Sequence, residues 1–447
     1  MTYHNAVKYI TTAPTKTGVN ESLERTKLLC KRLGSPEKKL KYIRFAGSNG
    51  KTVCQTMLTS VLFESGFKVG SLLMPAHTDP RENITVNKEI LSMEDTVKYV
   101  SLIASTVNEL RSEIEALKNS SEENAEEMAD NPFIASVIAE KTNIMPTKNE
   151  IIFLVSLLAF KDKGCDICLI ESDHNGVDPT KILTPPRLAV ICGTIPPENT
   201  KELTRIRSYL TSGILEVISA PQDRETRNCI SSSCARINCR LSVPTKYEVT
   251  RLSLGGSEFI YGDEKYKLSI CGRFQIQNAA TVIEAVTSLR RLHYTIPHQA
   301  VVKGLSAVSL NSKFETISVS PTIIIDSTHK VEAVGTMCNT LADFKDQIGE
   351  SISLCICPDA PLILEYISVL NSLGFTVSEL IIPLGDKNGS FDSLDLEVSC
   401  PVNLLTTPKA TAKEIISSSK KGGFVLVTAP DTLADKLRTE IYRVLGF

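Results

Sequence analysis

The sequence predicts an α/β protein with mostly parallel sheets in two successive domains, divided near residues 305–312. Three observations predict it. Residues 41–75 read as strand, glycine turn, helix, strand. Apolar runs then alternate with helical segments through the first half, the rhythm of a parallel sheet covered by helices. The same rhythm restarts after about residue 310.

Taken in order, "KYIRFAG" (41–47) is a short strand with bulky residues. "TVCQTMLTSVLFESG" (52–66) is an amphipathic helix with Val53, Met57, Leu58, Val61 and Leu62 on one side and Gly66 as its stop. "FKVGSLLMP" is a second buried strand, and a long helix is expected over 93–118. The acidic run 119–131 reads as a solvated loop or exposed helix. "TKNEIIFLVSLLAFKDKG" reads as a buried helix, and "CDICLIE" and "RLAVICGT" as strands. The middle, 224–270, changes to short alternating segments with turn residues, which suits antiparallel strands. "NAATVIEAVTSLRRL" restores a helix. "TIIIDST", "SISLCICPD", "SELIIPLG" and "GGFVLVTAP" are the strands of the second rhythm.

Composition narrows the function. A chain of 447 residues exceeds one ordinary core. A net charge of −2 argues against a nucleic-acid binder. No run of eighteen apolar residues exists, and the N-terminal "MTYHNAVKYITTAPTK" lacks an apolar signal core. The expectation is a cytoplasmic protein, taken as a monomer, with neither nucleic acid nor membrane as partner. Thirteen cysteines in such a chain are expected to be free thiols. Cys165 and Cys168 form one C-x-x-C inside "CDICLIE", and Cys355 and Cys357 lie in "ISLCICPDA". Residues three apart on a strand face opposite sides, so the first pair is a poor metal clip. No metal or redox role is expected of these cysteines.

The glycine turn carries the chemistry. A strict phosphate loop has a glycine six residues before its lysine, and Phe45 stands there. The shorter Gly47-Ser48-Asn49-Gly50-Lys51-Thr52 remains, between a strand and a helix. A helix N-terminus offers unpaired N–H groups and partial positive charge to a phosphate. Lys51 would reach terminal phosphates, and Thr52 would ligate Mg²⁺. ATP and Mg²⁺ are the expected cofactors.

Several segments together resemble the folylpolyglutamate synthase/dihydrofolate synthase family of the Mur ligase superfamily. They are "SLERTKLLCKRLGSPEKKLKYIRFAGSNGKT", "FKVGSLLMPAHTDPRENITVNKEILS", "PTKNEIIFLVSLLAF", "CGRFQIQNAATVIEAV", "KFETI…PTIIIDSTHK" and "GFVLVTAPDTLADKLR". The resemblance covers most of the chain. It implies a Mur-ligase-like fold: a P-loop-type ATP-binding central domain with a mostly parallel sheet over 1–305, then a smaller C-terminal Rossmann-like α/β ligase domain over 306–447. The implied reaction is ATP-dependent addition of glutamate to a folate-type carboxylate through an acyl phosphate.

The resemblance also implies roles. Gly47, Ser48, Asn49, Gly50, Lys51 and Thr52 would hold phosphates. Glu171, at the carboxyl end of its strand where α/β proteins bind ligands, would join Thr52 on Mg²⁺. Asn278 would contact adenine, and Arg273 a phosphate. Asp326 and His329 would face the ribose and phosphates from the C-terminal domain, with Lys51, Asp326 and His329 as the catalytic set.

The sequence also departs from the family. After Glu171 the text is "ESDHNGVDPTKI": Asp178 and Thr180 fit, most of the family's glycines and its arginine are gone, and His174 is new. Where the family has Asp-His, "ICGTIPPEN" offers Pro197 and Glu198, so Glu198 is the substitute metal ligand. Thr211 stands at the carbamylated-lysine position, Lys313 replaces an arginine and Lys330 an asparagine. The alternatives to a folate ligase are therefore a Mur-type ligase with another acceptor, or a nucleotide-binding relative that has lost catalysis.

Overall fold

The structure is a computed structural model that describes residues 1–15, 18–74, 79–119, 133–134, 137, 143–172, 178–183, 185–327, 331–384, 398–420 and 424–446. The chain divides into two compact units. One comprises Met1–Pro244 and Asn278–Gly304; the other comprises Thr245–Gln277 and Leu305–Phe447. No helix among the described residues is long and apolar enough to cross a membrane.

The first unit opens with α1 (Tyr3–Thr11), α2 (Val19–Arg32), β1 (Tyr42–Gly47), α3 (Lys51–Glu64) and β2 (Val69–Leu72). The hairpin β3 (Ile84–Val86) and β4 (Glu89–Ile90) follows, then α4 (Met93–Asn119), α5 (Lys148–Asp162), β5 (Ile167–Glu171) and β6 (Leu188–Cys192). It continues through α6 (Thr200–Tyr209), β7 (Glu216–Ser219), α7 (Arg224–Arg236) and β8 (Arg240–Ser242). Among the described residues these strands form a sheet of order β4-β3-β2-β5-β1-β6-β7-β8. It is parallel from β2 to β8, with the β3–β4 hairpin added antiparallel at one edge.

Register positions the site. Phe45 lies opposite Glu171 on β5, and Gly47 opposite Cys192 on β6. The carboxyl ends of three neighbouring strands thus meet where α3 begins. Strand β1 is buried throughout, and α3 is buried on more than the face its periodicity suggests, because Cys54, Gln55, Thr59 and Ser60 are also enclosed.

Helix α5 is buried along nearly its whole length. Thr147 and Glu150 form a capping box, in which the cap hydroxyl and the third-residue carboxylate each accept a backbone N–H. Glu150 also accepts from Arg25 Nε (2.8 Å) and Nη2 (2.9 Å) and from Ser22, all out of contact with water. That carboxylate fixes α5 to α2.

The second unit begins with the antiparallel strands β9 (Tyr247–Ser253), β10 (Gly256–Tyr261) and β11 (Glu264–Leu268). Helix α8 (Arg273–Arg291) passes from the second unit into the first, which also holds nearly all of α9 (His298–Ser306). Then come β12 (Glu315–Val319), β13 (Thr322–Asp326), α10 (Val331–Ala342), α11 (Lys345–Ile348), β14 (Ser351–Ile356), α12 (Ala360–Ser372), β15 (Thr376–Pro383), β16 (Val402–Leu405), α13 (Pro408–Lys420), β17 (Phe424–Thr428) and α14 (Asp431–Leu445). Their sheet runs β12-β13-β17-β14-β15-β16, with only β12 antiparallel.

The middle of the chain corrects the sequence reading. Within 224–270 only 247–268 is antiparallel sheet. Residues 224–236 form helix α7, and β8 is a parallel edge strand of the first sheet. The polar α7, with Asp223 capping it through the N–H groups of Glu225 and Thr226, gave too weak an apolar period to stand out. The acidic run at 120–131 lies outside the described residues.

Candidate nucleotide and metal site

The loop between β1 and α3 depends on two glycines. Gly47 has φ +122°, and a Cβ there would stand 2.0 Å from the Cys192 carbonyl oxygen. Gly50 takes φ +76° as the N-cap of α3, and its Cβ would stand 2.7 Å from Asn278 Oδ1. A side chain at either place would be both strained and blocked. Ser48 Oγ donates to Thr194 O (3.0 Å), holding the loop to the turn after β6.

Lys51 opens α3 and folds back over the loop. Its ammonium donates to Gly47 O (3.1 Å) and lies 3.7 Å from Glu171 Oε1. It is only 4% exposed, so the lysine meant to reach a phosphate lies buried at the head of α3. Burial pushes its pKa below the ordinary lysine value, and the Glu171 carboxylate opposes that shift. Cys192, Arg205 and Glu202 act on it more weakly. Thr52 Oγ1 stands 3.1 Å from Glu171 Oε2, which also accepts the Met74 N–H (3.4 Å).

The donor set fits Mg²⁺. Octahedral Mg²⁺ with bonds of about 2.1 Å separates neighbouring oxygens by about 3.0 Å, close to the Thr52–Glu171 spacing. Among the described residues no group of three or more His, Cys, Asp or Glu could hold a metal.

Asn278, on α8, is buried against Gly50, with its Oδ1 3.6 Å from Cys54 Sγ. The structure thus brings together Gly47, Ser48, Gly50, Lys51, Thr52, Glu171 and Asn278. Glu198 is exposed in the turn before α6, and among the described residues no bond joins it to Thr52 or Glu171. Arg273 and Asp326 belong to the second unit. Arg273, largely exposed, pairs with Asp343 at 2.8 Å. Asp326, buried at the end of β13, accepts the Phe314 N–H at 2.7 Å. His329, Lys330, His174 and residues 75–78 lie outside the described residues.

Asp178 and Thr180 hold structure. Asp178 accepts the Thr180 N–H and the Tyr209 hydroxyl, while the Thr180 carbonyl accepts from the buried Arg44 (2.8 Å). Thr211 is exposed between α6 and β7, and Lys313 donates to Ser327. The sequence reading missed Glu202 and Arg205, an ion pair on α6 close enough to act on Lys51. Their one sequence signal is the Glu-x-x-Arg spacing that sets both on one helix face.

No protein-family profile matches the chain. Curated relatives do. A dihydrofolate synthase/folylpolyglutamate synthase of Bacillus subtilis is 24% identical over 343 residues, 73% of each chain. The chain is thus similar to proteins of the folylpolyglutamate synthase/dihydrofolate synthase family, the family its motifs resemble. A probable bifunctional folylpolyglutamate synthase/dihydropteroate synthase of Halobacterium salinarum is 22% identical to it over 345 residues. That match takes 73% of this chain but spans only 38% of the haloarchaeal protein. The fold agrees with the crystal structure of folylpolyglutamate synthase from Thermotoga maritima, with TM-score 0.77 at 20% identity, covering 100% of this chain and 97% of the other. The α/β architecture expected from sequence, a mostly parallel sheet followed by a second α/β sheet, is the observed one.

Proposed function

We propose that this chain is an ATP-dependent acid–amino-acid ligase that adds L-glutamate to a folate-type carboxylate through an acyl phosphate. The observation that carries this is the buried contact of Lys51, Thr52 and Glu171 at the N-terminus of α3, in a chain similar to folylpolyglutamate synthases. In the first step an acceptor carboxylate oxygen attacks the γ-phosphorus of ATP, and ADP leaves. In the second, the glutamate amino group attacks the acyl carbon, phosphate leaves and the nitrogen loses a proton.

The loop N–H groups from Ser48 to Thr52 cradle the β- and γ-phosphates, and Lys51 neutralises charge that grows on the transferred group. Thr52 and Glu171 would hold Mg²⁺, which would draw charge off the phosphate oxygens. Asn278, fixed against Gly50, orients the base. The reading assigns phosphate contact to Arg273 and nucleotide contact to Asp326 and His329, and keeps Glu198 as a further Mg²⁺ ligand. It carries a cytoplasmic monomer with small-molecule substrates.

The test is phosphate release. Release that requires glutamate and a reduced folate together, and is lost in Lys51→Ala, supports the reading. Release that requires glutamate and a different carboxylate selects another acceptor, a reading favoured by the altered text after Glu171. ATP binding without turnover on any acceptor would refute ligase activity.

A further inference from the structure

The ligase reading leaves a cavity of about 570 Å³ unused, and every residue lining it belongs to the first unit. It lies at the amino ends of β1 and β6, the opposite edge of the sheet from the phosphate loop. Lys41 stands just before β1 and Arg187 just before β6. Those strands are neighbours, with Ile43 opposite Leu188, so the sheet brings the two basic residues to one edge. Their main chains are fixed there. Lys41 O accepts the Cys168 N–H (2.8 Å), and Arg187 O accepts the N–H groups of Leu215 (3.3 Å) and Glu216 (3.2 Å).

Two helix ends complete the lining, and they stop in the same way. At the end of α3, Gly66 and Phe67 donate their N–H groups to Phe63 O (3.0 Å) and Leu62 O (3.1 Å). At the end of α8, His293 and Tyr294 donate to Arg290 O and Leu289 O (both 3.0 Å). This pair of bonds closes a helix on a left-handed residue, ordinarily glycine. Helix α3 uses Gly66 (φ +85°), but α8 uses His293 (φ +68°), which keeps an imidazole at the cavity. The next residues, Phe67 and Tyr294, meet edge to face with ring centroids 5.9 Å apart, and both line the cavity. Arg290 Nε, donating to Ile296 O (2.9 Å), ties down the turn after Tyr294.

The basic groups are unbalanced. Lys41, Arg187 and His293 are exposed, and among the described residues none of their side chains forms an ion pair or hydrogen bond. Carboxylates next to the lining are engaged elsewhere, Glu64 with Lys303 (2.6 Å) and Glu216 with Arg291 (2.9 Å). Helix C-termini disfavour anions, but the last carbonyls here already accept the N–H bonds just described. A space of this size, with a few converging polar groups beside aromatic rings, has the form of a small-molecule site.

We propose that this cavity is a second ligand site, which takes a phosphate monoester carrying a flat ring, the chemistry of a nucleoside monophosphate. Lys41, Arg187 and His293 donate to the phosphate oxygens, with the arginine fork suited to two of them. The ring rests on Phe67 and Tyr294. A carboxylate, with two oxygens, matches three donors less well than a phosphate monoester with three. The site is separate from the phosphate loop: α3, 14 residues long and so about 21 Å, runs between them. The proposal does not depend on the ligase reading.

The test is calorimetric titration of the full chain with phenyl phosphate, which carries only the two recognised features. It should bind at least about 10-fold more tightly than inorganic phosphate or benzoate. Lys41→Ala and Arg187→Ala should each weaken it by about 10-fold or more, with Tm unchanged because both side chains are exposed and unpaired. Tyr294→Leu should remove the advantage over inorganic phosphate, and Lys51→Ala should leave phenyl phosphate binding as it was. No binding at millimolar phenyl phosphate, equal affinity for inorganic phosphate in the wild type, or affinity unchanged in Lys41→Ala and Arg187→Ala would each overturn the proposal. Binding lost in Lys51→Ala alone would place the probe in the phosphate loop and overturn it too.

Discussion

Lys51 brings a positive charge into a nearly closed site, where loss of water favours the neutral amine and Glu171 at 3.7 Å favours the ammonium. The lowered pKa means that, between that value and the ordinary 10.5, the unfolded chain binds more protons than the folded one. The free protein should therefore gain stability as pH rises through that window. ATP affinity should move the other way, because a neutral amine no longer attracts phosphate. Calorimetric titration with an ATP analogue across the alkaline range checks this, and an affinity flat up to 10.5 would contradict it. Glu171→Gln should lower Mg²⁺-dependent turnover by roughly 100-fold or more while metal-free nucleotide binding persists; turnover unchanged at saturating Mg²⁺ would remove Glu171 from the metal site. The residue types of this site were legible because strand, glycine turn and helix are adjacent in sequence. The burial of Lys51 was not, since its lid is a carboxylate 120 residues away whose register on β5 is a property of the sheet.

Elements show the same division between local and distant causes. The capping box of α5 can be read from Thr147 and Glu150 alone, but the pairing of Glu150 with Arg25 spans 125 residues and left no local trace. Removing one partner of a fully buried pair strands the other without water. Glu150→Ala should therefore cost about 3–5 kcal/mol in denaturant unfolding, whereas Thr147→Ala, which loses only a cap, should cost about 1 kcal/mol. Equal losses would mean that Glu150 acts as a cap and no more. Gly47→Ala should cost about 2–3 kcal/mol or more, because it adds left-handed strain to a clash with the β6 backbone.

Across the whole molecule, the second unit is assembled from two stretches of chain, and its core needs both. Leu254 and Cys271, from the 245–277 stretch, are buried with Phe314, Val334, Met337, Phe344 and Ile348. Phe274 meets Phe314 edge-on at 6.3 Å. The Leu254 N–H donates to Gln347 Oε1 (3.3 Å), Ser269 donates to Val308 O, and Arg273 pairs with Asp343. A fragment of 305–447 alone would expose the apolar faces these residues cover. Each fully buried large apolar side chain is worth about 1.5–3 kcal/mol, against a total domain stability of about 5–15 kcal/mol. The fragment should therefore unfold at a lower temperature than the same fragment joined through a flexible linker to 245–277. A synthetic 245–277 peptide added in trans should raise its Tm with the logarithm of concentration above its Kd, as any ligand of the folded state does. Leu254→Ala in the linked form should reproduce part of the loss, about 2–5 kcal/mol. If 305–447 alone matches the linked form in Tm and the peptide does not bind, the three-stranded sheet contributes nothing to the stability of the C-terminal unit, and the grouping of 245–277 with it would be overturned.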